Sequence, residues 1–354
     1  MSNLARGGKC PSCGSFGTCV ASHCEDALLH RIGGQDKFTF AACNSRLSPR
    51  GSREPVALLR IVRLLTLILA LGPGAQAAGP QEPQSSVSVT GLVRSSADID
   101  GGGDFYVNSF RASATLGGSI APRITASAGV KYAYENWRFG TPGTLGPVAP
   151  WSEVQGPSFD LSVSYRYSDQ LAFFLGPQVG WTYETGASAS DALSYGAAIG
   201  ASYAHSPTLF LGVGAGVFRQ IDQTRVFPFL IVNWQITDQW RLANPLKAGP
   251  TGGPGIELAY AISDRWDVAF GAAFREARFR LRSDGPTPNG IGVDKGVPLF
   301  ARLSYQPSPP ISVDFYAGAI VAGELRVLNS DGATVSASDY NTSPIFAISA
   351  IYTF

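Results

Sequence analysis

From about residue 87 onward, a two-residue alternation of apolar and polar side chains dominates. Ser158–Tyr167 is the clearest stretch. Phe159, Leu161, Val163, Tyr165 and Tyr167 fall on one face, and Asp160, Ser162, Ser164 and Arg166 on the other. A period of two with opposed polarity predicts a strand lying between two different media. The end of the chain repeats the pattern, with Phe346, Ile348, Ala350, Tyr352 and Phe354 on one face and Ile345, Ala347, Ser349, Ile351 and Thr353 on the other. Fourteen such segments can be placed, near 87–97, 105–118, 123–138, 157–167, 171–184, 193–204, 208–220, 226–237, 240–247, 255–263, 266–281, 296–306, 311–327 and 343–354. Trp240–Lys247 is the weakest, being short and carrying Pro245, and the first segment contains Gly91 and Arg94. Twelve strands is the fallback.

The connections carry an independent signal. Every second one is tight: Ser119–Pro122, Ser168–Gln170, His205–Pro207, Asp238–Gln239, Asp264–Arg265 and Gln306–Pro310. Those between are mostly longer and rich in Gly and Pro, as in Phe139–Gly156, Arg282–Lys295 and Leu328–Thr342. Short turns at one end and long loops at the other, with an even strand count, predict an all-β, transmembrane, antiparallel up-and-down β-barrel. Tyr167, Tyr203, Trp240, Trp266 and Tyr305 stand beside the tight turns, and Trp137, Trp181 and Tyr183 towards the long loops, as two interfacial girdles require. Closure predicts that Val87–Ala97 pairs with the last strand, because an open edge in lipid leaves backbone donors unpaired. Pro177 and Pro228 each remove a donor in mid-strand, and a bulge is expected at each.

Parity then assigns the inward charges: Arg111, Lys131, Glu135, Asp160, Arg166, Glu184, Glu257, Asp267, Arg275, Arg302 and Asp314. The rest of that face is largely Gly, Ala, Ser and Thr, which leaves room for a water-filled path. Glu257 and Asp267 are expected near Arg275, and Arg302 near Asp314. Cross-strand ion pairing accounts for these charges most simply, and a mixed-charge pore lining is compatible with it. Arg275, Arg278, Arg280 and Arg282 cluster near one strand top and suit lipopolysaccharide phosphate as well as a solvated rim. Asp284, Asn289 and Asp294 do not have the spacing of a calcium loop. No catalytic residue, cofactor or metal ligand is assigned in the barrel. His205, the one histidine beyond residue 30, lies in a tight turn. The Gly-x-Gly runs lead into no helix and are strand glycines.

Composition changes the picture at the amino end. Charged residues are 15% of the chain and glycines number 41, which suits strands and tight turns more than helices. Residues 1–77 hold 9 of the 27 basic and 4 of the 26 acidic residues, so the remainder is net acidic and offers no basic stripe to nucleic acid. All five cysteines, Cys10, Cys13, Cys19, Cys24 and Cys43, precede residue 44, and a long cysteine-free stretch suits export. Leu64–Leu71 is an apolar run preceded by Arg60 and Arg63, broken at Gly72-Pro73-Gly74 and followed by Ala75-Gln76-Ala77. This is the pattern of a secretory signal cleaved between Ala77 and Ala78. Residues 56–77 are then the signal peptide, 78–86 a linker and 87–354 the barrel. Residues 1–55 read as a non-native or disordered extension, a GTG start at Val56 giving the signal its natural beginning. A zinc site from Cys10-x2-Cys13-x5-Cys19-x4-Cys24 with His23 and His30 is disfavoured by its irregular second pair.

A strand that stops on an aromatic carboxy-terminal residue resembles the closing strand of bacterial outer-membrane barrels. Tyr352 and Phe354 would then be the signal that barrel-assembly machinery reads after Sec export. Pro228–Leu246 (PFLIVNWQITDQWRLANPL), Gly249–Trp266 (GPTGGPGIELAYAISDRW), Gly285–Tyr305, Asp314–Leu325 and Asp339–Phe354 resemble an uncharacterised family of Gram-negative outer-membrane β-barrels, a domain of unknown function. The resemblance covers most of 87–354. It implies export and a barrel in the cell outer membrane, in contact with its lipid, and brings no site residues. The expected role is a passive pore or transporter for small solutes. The alternatives are a closed barrel presenting loops 139–156 and 328–342, and a lipid-modifying enzyme, which the missing histidine disfavours.

Sequencing the amino terminus of protein recovered from outer membranes should find Ala78 first. A retained cysteine-rich leader would overturn the export reading.

Overall fold

A computed structural model describes residues 85–244 and 248–354 of the chain. The leader, its cysteines, and Ala75, Ala77 and Ala78 of the expected cleavage site lie outside the described residues. The barrel opens with strands β1 (Ser86–Asp98), β2 (Asp104–Ala121), β3 (Ile124–Thr141) and β4 (Glu153–Arg166). Next come β5 (Leu171–Trp181), its short continuation β6 (Tyr183–Glu184), β7 (Leu193–Ser206), β8 (Leu209–Gln220) and β9 (Gln223–Gln235). β10 (Trp240–Ala243), β11 (Gly255–Ser263) and β12 (Trp266–Ala273) follow, with β13 (Arg275–Arg280) extending β12. The last are β14 (Ile291–Ser308), β15 (Ile311–Leu328), β16 (Thr334–Tyr340) and β17 (Ser343–Thr353), of which β16 leads into β17. With the three short pieces joined to their neighbours, fourteen antiparallel strands form one closed sheet. The only helical pieces among the described residues are two 3-10 turns, Gly143–Leu145 and Ala189–Ala192.

Closure is made by the two segments farthest apart in the barrel sequence. β1 pairs with β17 from Ser86↔Thr353 to Arg94↔Ile345 without a break. Phe354 N donates to Ser85 O, and the hydroxyls of Thr90 and Ser349 meet at 2.8 Å. Alternation holds around the wall. Val130, Phe159, Leu161, Leu175, Ile199, Val213, Leu230, Phe270, Phe315 and Phe346 are all exposed and all lie on the outward parity. Such an apolar belt is stable only against hydrocarbon. At the tight-turn end Trp266 stacks on Tyr305 at 4.4 Å, Trp240 meets Tyr260 at 4.8 Å, and Tyr352 stacks on Phe354 at 6.0 Å.

Several sequence expectations change here. Neither proline makes a bulge. The nitrogen of Pro177 points at β4, whose ladder passes from Asp160↔Gln178 to Val163↔Leu175 with rungs missing and register kept. Pro228 lies on the parity of β9 that points towards β10, beyond the end of that strand, while its pairing with Ala215 of β8 stays in register. β10 has four residues, not eight. Its ladder ends where Asn244 bonds back to β9: its backbone N donates to Val232 O, its side chain accepts from Val232 N, and its amide donates to Leu230 O. Pro245 lies outside the described residues. The strand expected at 296–306 begins at Ile291, and much of the expected loop 328–342 is β16.

The long-loop end is closed a second time, by a narrower ring. Ile99 bridges Tyr340, linking β1 to β16. Across the ring, Arg280 of β13 bridges Tyr183 of β6 and its N donates to Thr182 O. β7 to β11 stand outside this ring. Its interior is packed with Phe105, Val107, Trp137, Trp151, Phe279, Leu325, Tyr340 and Ile345. Trp137 is 1% exposed and belongs to this plug, not to an interfacial girdle. A register shift between Lys295 and Val297 and a positive φ at Ala322 mark a bulge where β15 enters the plug through Leu325 and Val327, and β14 meets it through the Asp294–Tyr340 hydrogen bond.

Thr90 and Ser349 face each other across a pair whose backbone bonds point away from one another, since Thr353 N, of Ser349's parity, bonds to Pro310 of the far neighbour. Such pairs bring Cα atoms close enough for a disulfide. The double variant Thr90→Cys/Ser349→Cys should cross-link in a region that has no other cysteine. The compact electrophoretic form should then survive heating and be lost on reduction. Failure to cross-link would disprove the closure.

Candidate functional site

A chain of buried charges spans the lumen. Arg94 of β1 is 3% exposed, and its guanidinium lies 3.0 Å from Asp294 Oδ2. The rings of Phe105, Trp137 and Tyr340 surround it at 4.7, 5.5 and 4.6 Å. Such an aromatic cage replaces part of the hydration a buried cation loses. Tyr340 donates its hydroxyl proton to Asp294 Oδ1 at 3.1 Å. Arg275 then bridges two carboxylates: its Nε donates to Asp294 at 2.9 Å and its terminal nitrogen to both oxygens of Glu135 at 2.8 and 3.0 Å. Arg111 ends the chain, 3.5 Å from Glu135, and donates to the carbonyl of Pro250. Pro250 belongs to the described stretch 248–254 ahead of β11, which folds inward. Ala248 bridges Gly253, and Gly249 N donates to Glu257. A Cβ on Gly249 would stand 2.4 Å from the ring of Phe300, so only glycine fits there.

A second cluster centres on Arg302 of β14. It lies 3.2 Å from Asp267, 3.5 Å from Glu257 and 3.9 Å from Asp314, and donates to Ser304 Oγ at 2.9 Å. Ser304 in turn donates to Asp314 at 2.6 Å. Glu257 and Asp267 thus pair with Arg302 and not with Arg275. The sheet is interrupted at Phe274 between β12 and β13, and Arg275 beyond the break reaches the opposite wall. Lys131 and Asp160 form a separate pair on β3 and β4. Arg166 is exposed beside a tight turn, where its backbone N bonds to Arg123 O. Glu184 is buried and accepts from Ser152 N and Arg282 N, both at 3.1 Å. His205 is exposed at the tight-turn end of β7.

The four arginines near the top of β13 do not form one patch. Arg275 is buried in the chain above, and Arg278 clamps both oxygens of Asp222 at 2.8 Å. Arg225 of β9 pairs with Glu276, so two ion pairs tie β13 to the β8–β9 hairpin. Arg280 and Arg282 remain at the rim, the first donating to the carbonyls of Asp191 and Asn289 at 3.0 and 2.7 Å.

Arg94 is not among the inward charges expected from the sequence, and its partner Asp294 lies in an expected loop. Asp294 is 0% exposed. Nothing local marks it as buried, because β14 starts earlier than its hydrophobic pattern indicates.

Between β13 and the inner faces of β2–β8 lies a cavity of about 280 Å³. Arg111, Glu135, Gln178, Ser194, Phe218, Gln220 and Arg275–Arg278 contribute to its lining. Below it the flank formed by β7 and β8 is paved with small residues. The rings of Phe174 and Phe229 rest on Gly200 and Gly214, whose added Cβ atoms would come within 2.5 and 2.4 Å of them. Phe227 lies 6.3 Å from Phe229 and 5.8 Å from Phe218, continuing the aromatic row. The lumen is therefore two-sided: packed and charged around the plug, and lined along β5–β9 by small residues over which Phe174, Phe218, Phe227 and Phe229 lie.

No family model matches this chain, and no curated protein matches it. Among solved structures it is similar to an outer-membrane channel from Pseudomonas putida F1, at 8% identity and a TM-score of 0.43, over 80% of this chain and 100% of that one. It is similar to the toluene transporter TodX of P. putida at 8% identity and a TM-score of 0.40, over 78% and 91%. It is similar to the NanC porin at 11% identity and a TM-score of 0.35, over 76% and 100%. All three are outer-membrane barrels. Identities this low leave solute and mechanism separate questions for each.

Arg275→Ala would leave Glu135 and Asp294 buried without their shared partner. It should destabilise the refolded barrel by about 3–5 kcal/mol in urea unfolding. Arg166→Ala removes an exposed side chain and should change stability by less than about 0.5 kcal/mol. Equal effects would contradict the ion chain.

Proposed function

We propose that this chain is an integral outer-membrane β-barrel that passes small solutes by a passive route. The observation carrying this reading is the 280 Å³ cavity beside the plug, bordered by the inner faces of β4, β5, β7 and β8. A barrel that served only as a rigid stave wall would gain by filling that cavity, because dispersion contacts are lost wherever packing is left open. The inward charges are paired, so they keep the lining polar without a strong field of either sign. The route is off-axis, because the apolar plug blocks the centre of the long-loop end. Outer-membrane lipid is the solvent of the outward belt. Phe354, 56% exposed at the tight-turn end, is available to the assembly machinery after export. Lipopolysaccharide phosphate is a candidate neighbour for rim Arg280 and Arg282 only.

A second reading has its own support. The packed ring at the long-loop end suits a closed barrel that displays β16, the Gly143–Leu145 turn and the loop tips to a partner. The two readings differ in current. Protein purified from outer membranes and inserted in a planar bilayer should give steady, ohmic steps. A stable, heat-modifiable barrel with no current would sink the passage reading and leave the display reading standing.

A further inference from the structure

The cavity has an unbalanced charge. The ion chain that borders it contains three guanidiniums, Arg94, Arg111 and Arg275, and two carboxylates, Glu135 and Asp294. The neighbouring set is neutral, with Arg225 and Arg278 against Asp222 and Glu276. Lys131 and Asp160 also cancel. The surplus cation is Arg111. Arg94 and Arg275 hold carboxylates at 2.8–3.0 Å, but Arg111 has only a 3.5 Å approach to a Glu135 already clamped by Arg275. Arg111 is the most exposed of the three, at 26%, and it lines the cavity. A guanidinium removed from water without a full counter-charge favours an anion beside it.

A second, independent feature lies in the same cavity. Gln220 contributes to the lining, and its Oε1 is buried with no hydrogen-bond partner among the described residues. A buried acceptor left unpaired costs free energy that a ligand donor or a water recovers. Phe218 and Val154 supply apolar surface nearby. Positive charge beside an apolar wall suits a small organic acid better than a neutral hydrocarbon or a sugar. At about 280 Å³ the cavity is at the lower end of small-molecule sites, large enough for a single-ring carboxylate.

The geometry points to a binding site for a small organic monocarboxylate in this cavity, with Arg111 taking the carboxylate and Phe218 and Val154 offering apolar surface to the rest of the solute. The site rests on the passage reading for its purpose, as a station on the off-axis route. Binding itself requires no current. Arg111 also holds the inward segment through Pro250, so an occupant that draws on Arg111 acts on the stretch 248–254 ahead of β11.

The test is equilibrium binding of benzoate to the detergent-solubilised protein purified from outer membranes, by titration calorimetry, with benzamide as the uncharged counterpart. Benzoate should bind and benzamide should be at least about tenfold weaker, the scale of one charge-assisted contact. Arg111→Gln should weaken benzoate by about tenfold or more, and Arg111→Lys, which keeps the charge, by less. Glu135→Gln removes a competing carboxylate and should tighten benzoate, a direction that loss of structure does not produce. Heat-modifiability checks that each variant is folded. Equal affinity for benzoate and benzamide, or benzoate affinity untouched in folded Arg111→Gln, would overturn the site. Full competition by chloride at equal concentration would overturn the organic part of it. Benzoate binding without bilayer current would retire the passage reading and keep the site, and current without benzoate binding would do the reverse.

Discussion

The structure depends on one ladder, the pairing of Ser86–Arg94 with Ile345–Thr353. In hydrocarbon each unpaired backbone N–H or C=O costs several kcal/mol, so a sheet of this kind is stable only as a ring. That pairing makes a linear succession of hairpins into a wall with an inside. It gives the period-two pattern its meaning, since one parity then meets lipid and the other the lumen. It also explains the treatment of β10. Where the ladder stops after four residues, the side chain of Asn244 replaces missing rungs on β9. A side-chain amide carries the same donor and acceptor as a peptide group, so it extends a strand without continuing it.

Inside the ring, the lumen divides by what each strand can bring inward. β2, β3, β15 and β16 bring aromatic and aliphatic side chains together at the long-loop end, and these pack into a plug. Charges within reach of the plug must be matched, because an isolated buried charge is far too costly. Arg94, Asp294, Arg275 and Glu135 meet that requirement as alternating signs, and the aromatic cage around Arg94 supplements it. β7 and β8 bring inward mainly Gly, Ala and Ser between Ser194 and Gly216, and the rings of Phe174, Phe227 and Phe229 lie over those glycines. The cavity lies at the border between the two regimes. Its lining combines the last member of the ion chain with the top of the small-residue flank.

Much of the wall was legible in the residues. The fourteen segments and the pairing of the first with the last follow from alternation, tight turns and the need for closure, all local or topological in origin. The candidate site was legible in part. Parity alone sends Arg111, Glu135, Lys131, Asp160 and Arg302 inward. Their partners were less readable. Arg275 pairs across the lumen with Glu135, 140 residues away, because the break at Phe274 redirects β13. Trp137 looked like a girdle residue because distance from the turn is visible in a sequence, whereas the bulges that convert an outer rim into a plug are not.

The sequence by itself determined the strand count, the antiparallel order, the face each residue takes along a regular strand, and the expectation of a lipid-facing belt. These depend on the two-residue period and the length of the connections, which neighbouring residues specify. Only the tertiary structure decided that the long-loop end is filled, that β13 crosses to β6, that the stretch 248–254 folds inward onto Arg111, and that one guanidinium in the ion chain lacks its own carboxylate. Those depend on which distant strands a closed ring brings face to face. In a barrel the contacts across the lumen join residues of unrelated sequence position, and no local pattern encodes them.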